Sequence, residues 1–295
     1  LRPAGLTITS VVVKHGQPGQ IGTYRDFGRL PVTIRDGIVI SSGSVVNLAP
    51  TPEQMLPDYD PSSPPASVNN WMEQEGDGGT PEFDDFGRRS NNIENFNASY
   101  DVAAIEVHFT LDQPSAVKFD FIFGSVEYPA WTSQFTDAFL VFLDGTAPSD
   151  QVTFDNNGNA VQVGSSFAGL TTTADVNTAF SNPHGLIHHL TTTTPALDDG
   201  EHVLVFEVGD VNDHILDSAV FITNLRAGAG VPGTEPSDDC RADHNSSGLV
   251  SVQDLFDYLA DFFENESDAD FNENGEITVQ DFFDFLAAFF AGCPS

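Results

Sequence analysis

The hydrophobic period of the chain changes once, and that change confines it to two differently built parts. As far as about residue 225 the apolar side chains fall in strand-like patterns, whereas beyond residue 240 they recur at helical spacing. In the first part Ile105, Val107 and Phe109 alternate with Glu106, His108 and Thr110. Val117, Phe119, Phe121 and Phe123 alternate with Lys118, Asp120 and Ile122. Phe139–Leu143 is apolar on both faces, as a central strand is, and Val203–Val208 and Ala219–Leu225 read as two more strands. Thr7–Val13 and Gly37–Ile40 are weaker candidates. No helical period is interleaved with them. The predicted fold class is therefore mainly β: a β-sandwich or jelly roll over residues 1–226, followed by a small all-α unit over 240–295. Residues 227–239, rich in Gly and Pro, read as the linker.

Two stretches interrupt the strand rhythm. A long insertion over about 49–97 is first proline-heavy, from Pro50 to Pro65, and then rich in Asp, Glu, Gly and Asn. Its acids Asp77, Glu82, Asp84 and Asp85 read as a solvated loop. Thr171–Thr173 and Thr191–Thr194 read either as exposed strand edges or as sites of O-glycosylation.

Charge narrows the range of partners. Lys and Arg number 10 against 44 Asp and Glu, so the net charge is 10 − 44 = −34. Nucleic acid and anionic membrane would repel such a surface. With 40% hydrophobic residues and 25 Phe the chain still has the means to build a core. No apolar run is long enough to span a bilayer. The chain begins at Leu1 with no signal-peptide pattern, and the expectation is a mature form from which a targeting segment has been removed. The two cysteines, Cys240 and Cys293, stand at the two ends of the helical unit. Free thiols remain an alternative, but this placement favours a disulfide staple and an oxidising, extracytoplasmic setting.

The helical unit repeats itself. Ala242-Asp243-His244-Asn245-Ser246-Ser247-Gly248-Leu249-Val250-Ser251-Val252-Gln253-Asp254 returns 27 positions later as Ala269–Asp281. Oxygen-bearing side chains fall at loop positions 1, 3, 5, 9 and 12: Asp243, Asn245, Ser247, Ser251 and Asp254, then Asp270, Asn272, Asn274, Thr278 and Asp281. Gly248 and Gly275 occupy position 6, and Leu249 and Glu276 offer carbonyls at position 7. That spacing is the EF-hand ligand pattern, so each loop is read as a calcium site. A pair of Asx-rich turns capping two helices is the plainer alternative. Residues 240–293, ending in Ala291-Gly292-Cys293, resemble a dockerin, a module of two calcium loops and helices that attaches to a partner. The resemblance implies an attachment module, and the partner is expected to be a cohesin-like domain or a neighbouring copy. The helices carry more aromatic residues than their mutual face can cover, and Phe256, Phe263, Phe282, Phe283, Phe289 and Phe290 are expected to form the docking patch. Asp254, Asp257, Asp261, Asp281 and Asp284 are placed on the opposite, solvated face.

In the β part, Phe119–Phe123 runs into Gly124-Ser125-Val126-Glu127-Tyr128-Pro129. Phe135-Thr136-Asp137-Ala138-Phe139 follows, then Val208-Gly209-Asp210-Val211-Asn212-Asp213 and Leu216-Asp217-Ser218-Ala219-Val220-Phe221-Ile222. With Asp36–Ser44, these segments resemble the choice-of-anchor L domain over most of 20–227. Val126 and Thr136 depart from the family's Glu and Asn. The resemblance implies an extracellular location and no particular chemistry. Glu127, Asp137, Asp210 and Asp217 stand at strand ends, and were those ends to converge, a bound calcium would relieve their repulsion. Turn capping by each acid separately is the alternative.

No nucleophile elbow, zinc-protease motif or phosphate loop occurs, and no catalytic residues are assigned. His184, His188 and His189 read as a loop, and Asn97-Ala98-Ser99 is a formal glycosylation sequon. The sequence therefore leads to a secreted or surface-displayed, calcium-binding structural or attachment protein that forms a homo-oligomer or polymer. The alternative is a carbohydrate-binding or carbohydrate-active subunit delivered by its dockerin.

Overall fold

The computed structural model describes residues 5–27, 34–48, 78–90, 93, 95–125, 127, 136–167, 189–212, 216–236, 242–244, 250–266, 269–271 and 277–291. The chain divides into two units, Leu1–Pro236 and Ser237–Ser295.

In chain order the first unit contains β1 (Leu6–His15), β2 (Ile21–Phe27), β3 (Ile34–Ser41), helix α1 (Pro81–Arg89), β4 (Ser99–Leu111), β5 (Val117–Ser125) and β6 (Ala138–Leu143). There follow β7 (Val161–Gln162), β8 (Leu190–Thr193), β9 (Gly200–Val211), β10 (Ser218–Ala227) and β11 (Gly233–Pro236). One sheet has the order β1-β4-β9-β6-β7, the other β11-β8-β5-β10-β3-β2, and the neighbouring strands are antiparallel.

Alternation decides what lies between the sheets. Ile105, Val107 and Phe109 of β4, Leu204, Phe206 and Val208 of β9, and Phe139 and Val141 of β6 meet Phe119, Phe121 and Phe123 of β5 and Val220 of β10. At the centre Phe119 stands edge-on to Phe206, with ring centroids 5.1 Å apart, and Phe121 lies 4.9 Å from Phe139. These aromatic contacts add directional preference to the burial of apolar area.

The second face of β6 is apolar because a helix covers it. Phe83 and Phe86 of α1 pack with Ala138, Leu140 and Phe142 of β6, and with Val102, Val205 and Val211. Part of the expected loop over 73–97 is thus helical. Thr80 caps the helix by accepting from Phe83 N at 3.2 Å, Pro81 follows it, and acids begin the helix while Arg88 and Arg89 end it. Nor are its acids merely solvated. Glu82 pairs with Lys14 at 3.1 Å, Asp84 accepts from the Ser99 hydroxyl at 2.7 Å, and Asp85 holds Arg89.

Three further expectations change. Residues 233–236, read as linker, form strand β11 beside β8. Consequently β8 is internal, and Thr191–Thr194 are buried rather than exposed: Thr192 bonds Thr234 at 2.8 Å, and Thr191 bonds Asp120 at 2.7 Å. Asp120 is held in addition by Arg226 at 2.8 Å. Thr171–Thr173, His184, His188 and most of the proline-rich insertion lie outside the described residues.

Strand β1 is an edge. Ile8, Val11 and Val13 share the inward register of Phe109, Val107 and Ile105, yet with Val12 they stay about half exposed. Next to them Lys14 reaches Glu207 at 2.8 Å. Burial raises the pKa of Glu207 and outweighs the pull of Lys14. Burial by itself would lower the pKa of Lys14, but Glu207 and Glu82 reverse this and raise it. Replacing Lys14 by Met strands a buried carboxylate and should cost about 3 kcal/mol in chemical denaturation, most of which Lys14→Met/Glu207→Gln should recover.

A second ion pair predicts a pH dependence. His202 gives Nδ1 to Asp144 at 2.7 Å and Nε2 to the Asp198 carbonyl at 3.0 Å. Burial lowers its pKa, but these two contacts outweigh burial and raise it overall. The protonated form is favoured on folding, so the stabilisation is complete below the unfolded value of about 6.5 and fades as pH rises through the folded value. The stability difference between the native chain and His202→Gln should therefore be full below about pH 6.5 and shrink steadily as pH rises above it, as read by urea melts.

Candidate functional site

One end of the sandwich gathers the carboxylates that the sequence singles out. The C-termini of β3, β5 and β9 and the N-termini of β4, β6 and β10 all reach it, because antiparallel pairing sets Ser125 opposite Ser218, Gly209 opposite Ala138 and Asp210 opposite Tyr100. Glu127, Asp137, Asp210 and Asp217 are each at most 1% exposed. They do converge: Asp137, Asp217 and Glu127 all act on Asp210. Burial comes first, and these three carboxylates next, in raising the Asp210 carboxyl well above its usual range.

The rim joins the two sheets through hydroxyls and amides. Ser218 donates to Asp137 Oδ2 at 2.6 Å, and Ser125 donates to Glu127. Ser42 Oγ accepts from Ser218 N at 2.9 Å, and Ser41 Oγ donates to Ser218 O at 2.9 Å. From the neighbouring turn, Gln20 Nε2 bridges Ser42 O at 2.9 Å and Asp101 O at 2.7 Å. The chain passes so close at Gly43 that a Cβ there would lie 2.3 Å from Asp217 Oδ2. Asp101, Asn212 and Leu216 at the same end adopt left-handed φ values of 51°, 75° and 75°. Sequence reasoning missed the serines, Gln20 and Asp101 as members of this rim. The cluster Ser41-Ser42-Gly43-Ser44 after a strand was the available signal.

In contrast with the simple capping alternative, neither Asp210 oxygen receives a hydrogen bond of good geometry. The Ser42 hydroxyl offsets only part of its charge. Among the described residues no three His, Cys, Asp or Glu side chains form a ready metal cage.

The second unit has α2 (Val252–Glu264) and α3 (Val279–Ala291), and the 27-residue repeat is visible in its packing. Tyr258 stacks on its own repeat equivalent, Phe285, with centroids 4.0 Å apart and planes within 2°. His244 stands edge-on to Tyr258 at 5.2 Å, as its equivalent Phe271 does to Phe285 at 5.7 Å. Tyr258 is satisfied by donating to Ala269 O at 3.1 Å, and His244 bonds Asp261 at 2.6 Å.

Of the loop positions, Asp243, Ser251, Asp254, Asp270, Thr278 and Asp281 are described. Asn245, Ser247, Leu249, Asn272, Asn274 and Glu276 lie outside the described residues, as do Cys240 and Cys293. Asp254 Oδ2 accepts from Ser251 N at 2.7 Å and from its hydroxyl at 3.0 Å; Asp281 Oδ2 does the same with Thr278 at 2.8 and 3.0 Å. Both acids are fully buried rather than on the solvated face where the helical wheel put them, because they cap the first turns of their helices. The aromatic patch also divides. Phe256, Phe263, Phe283 and Phe290 are exposed, whereas Phe282 and Phe289 pack against the Tyr258–Phe285 core.

Fold and rim define an antiparallel β-sandwich with an acidic, oxygen-rich end, followed in the chain by a repeated helical unit. The chain belongs to the choice-of-anchor L domain family, which matches residues 4–225. No curated protein and no solved structure matches it. Membership of this family associates the chain with extracellular and cell-surface proteins. No described helix is long and apolar enough to cross a membrane. The match ends before the helical unit, whose role rests on its own geometry. Phe285→Ala removes one half of the central stack and should cost about 3–5 kcal/mol. Loss of the helical signal at lower denaturant, with the β signal unchanged, checks this.

Proposed function

We propose that this chain is a secreted, calcium-binding structural protein that assembles at the cell surface, the helix pair of one copy docking on the β domain of the next. The single observation that carries this reading is the exposure of Phe256, Phe263, Phe283 and Phe290 on two short helices. Phe263 and Phe290, which are repeat equivalents, are each 80% exposed. Side chains of that size at helix surfaces are costly unless a partner covers them.

The edge of β1 suits the receiving role. It presents Ile8, Val11, Val12 and Val13, carries Lys14 and His15, and belongs to a stretch whose first acid is Asp26. The helices beside the exposed aromatics carry Asp257, Asp261, Glu264 and Asp284. The exposed aromatic face and this exposed aliphatic edge are complementary in their apolar chemistry. A contact between two different faces joins copies head to tail, and it propagates as a filament wherever its rotation does not close a ring. The dockerin-like loops fit a hard cation, since every side-chain donor assigned to them is an oxygen. Asp243, Asn245, Ser247, Leu249, Ser251 and Asp254 would hold one calcium; Asp270, Asn272, Asn274, Glu276, Thr278 and Asp281 would hold the other. Calcium there supplies charge neutralisation to the loops that position the helices.

Sedimentation velocity in calcium tests the reading. The native chain should form larger species as concentration rises, and Phe263→Asp/Phe290→Asp should stay monomeric with unchanged helical content. A native chain that stays monodisperse in calcium and retains a glycan instead would overturn assembly in favour of a carbohydrate-binding subunit.

A further inference from the structure

The geometry points to a cation site separate from the helical loops: a divalent, calcium-type ion held by Asp210 at the rim of the β domain, where Asp137, Asp217 and Glu127 gather. The argument starts from Asp210, which is fully buried and has two oxygens that no donor meets with good geometry. After burial, the groups that act on it most are three carboxylates and one hydroxyl, and none of these carries positive charge. An anion held in that way costs several kcal/mol unless a cation or a proton joins it.

The donor set chooses the kind of cation. The rim offers carboxylate oxygens, the hydroxyls of Ser42, Ser125 and Ser218, and main-chain carbonyls, and these are hard ligands that suit calcium or magnesium rather than zinc or copper. They come from both sheets: Asp137 and Asp210 from the sheet of β6 and β9, Glu127 and Asp217 from the ends of β5 and β10. Ligands spread over several chain segments make a wide, adaptable ring, which favours calcium over the small and strictly octahedral magnesium. No three of the described acids close a cage by themselves, so the hydroxyls, carbonyls and water must complete the shell. A cation bound there would clamp the two sheets together at the end where Asp101, Asn212 and Leu216 keep left-handed backbone.

The test uses the full chain with calcium itself as probe. Asp243→Ala/Asp270→Ala removes the first ligand of each helical loop and leaves the rim intact. Equilibrium dialysis of this variant should still find one calcium per chain. Asp210→Asn on the same background, nearly isosteric, should weaken that binding by about 100-fold, the worth of one lost charged ligand. Tyrosine-sensitised terbium emission gives a second readout, because Tyr100 is the strand partner of Asp210. The emission should persist in the loop variant and disappear with Asp210→Asn. In chelator, Asp210→Asn should melt no lower than the native chain, since it relieves repulsion, and that shows the variant to be folded. Absence of calcium and terbium binding in the loop variant would overturn the site and leave a shared proton as the rim's compensation. So would binding that survives Asp210→Asn unchanged. Neither result depends on whether the chain assembles.

Discussion

The packing of Phe119 and Phe121 against Phe206 and Phe139 is the contact on which the rest of the β domain depends. Rings of that size interlock in few ways, so they fix how far each strand runs past its neighbour and therefore where every strand ends. With that register set, Glu127, Asp137, Asp210 and Asp217, far apart in sequence, arrive at one rim. The acids do not build the sandwich. They are delivered by it.

Two buried acidic places in the same domain meet their cost in different ways. Glu207 is fully buried, yet Lys14 at 2.8 Å and the Thr80 hydroxyl at 2.9 Å take up its two oxygens, and the same threonine caps α1. Compensation there is built in covalently distant but structurally fixed residues. Around Asp210 the neighbours that act on it most are anionic or neutral. A chain with 10 basic residues and 44 acids has few side chains to spend on such compensation, and the proposed cation would do at the rim what Lys14 does for Glu207.

Much of the fold was legible because alternation and burial are the same fact in a sandwich. Strands β4 and β5 fall where the two-residue period puts them, β6 where a run apolar on both faces does, and β9 and β10 where the remaining strand candidates lie. What was not legible depended on contacts between distant segments. Helix α1 is short, and its only trace in the strands was the second apolar face of Phe139–Leu143, which signals a covering layer without naming it. Strand β11 hides in a Gly- and Pro-rich run because its edge position needs few β-formers. The threonines of β8 look exposed only if β11 is unknown. Asp254 and Asp281 looked solvated on a helical wheel, which counts faces and ignores that a first-turn acid folds back to cap its own helix. The convergence of the four rim acids could be stated from sequence only as a condition, since register is a property of the packed core.

The helical unit shows the same division between what repetition encodes and what packing selects. Positions 27 apart share their fates: Tyr258 and Phe285 stack at the centre, Asp254 and Asp281 are buried, and Phe256 and Phe283, like Phe263 and Phe290, stay outside. A pattern that recurs in both copies is not an accident of one crowded helix. Were the outer aromatics merely surplus core, one copy would be expected to tuck them in where its sequence allowed, as both copies do with Phe262 and Phe289. Instead the two pairs stay exposed to nearly equal degrees, 60% and 58% for one and 80% and 80% for the other. Matched exposure of bulky apolar groups on a unit with its own satisfied core shows that the two copies pack alike, and it is the feature on which the proposed docking surface rests.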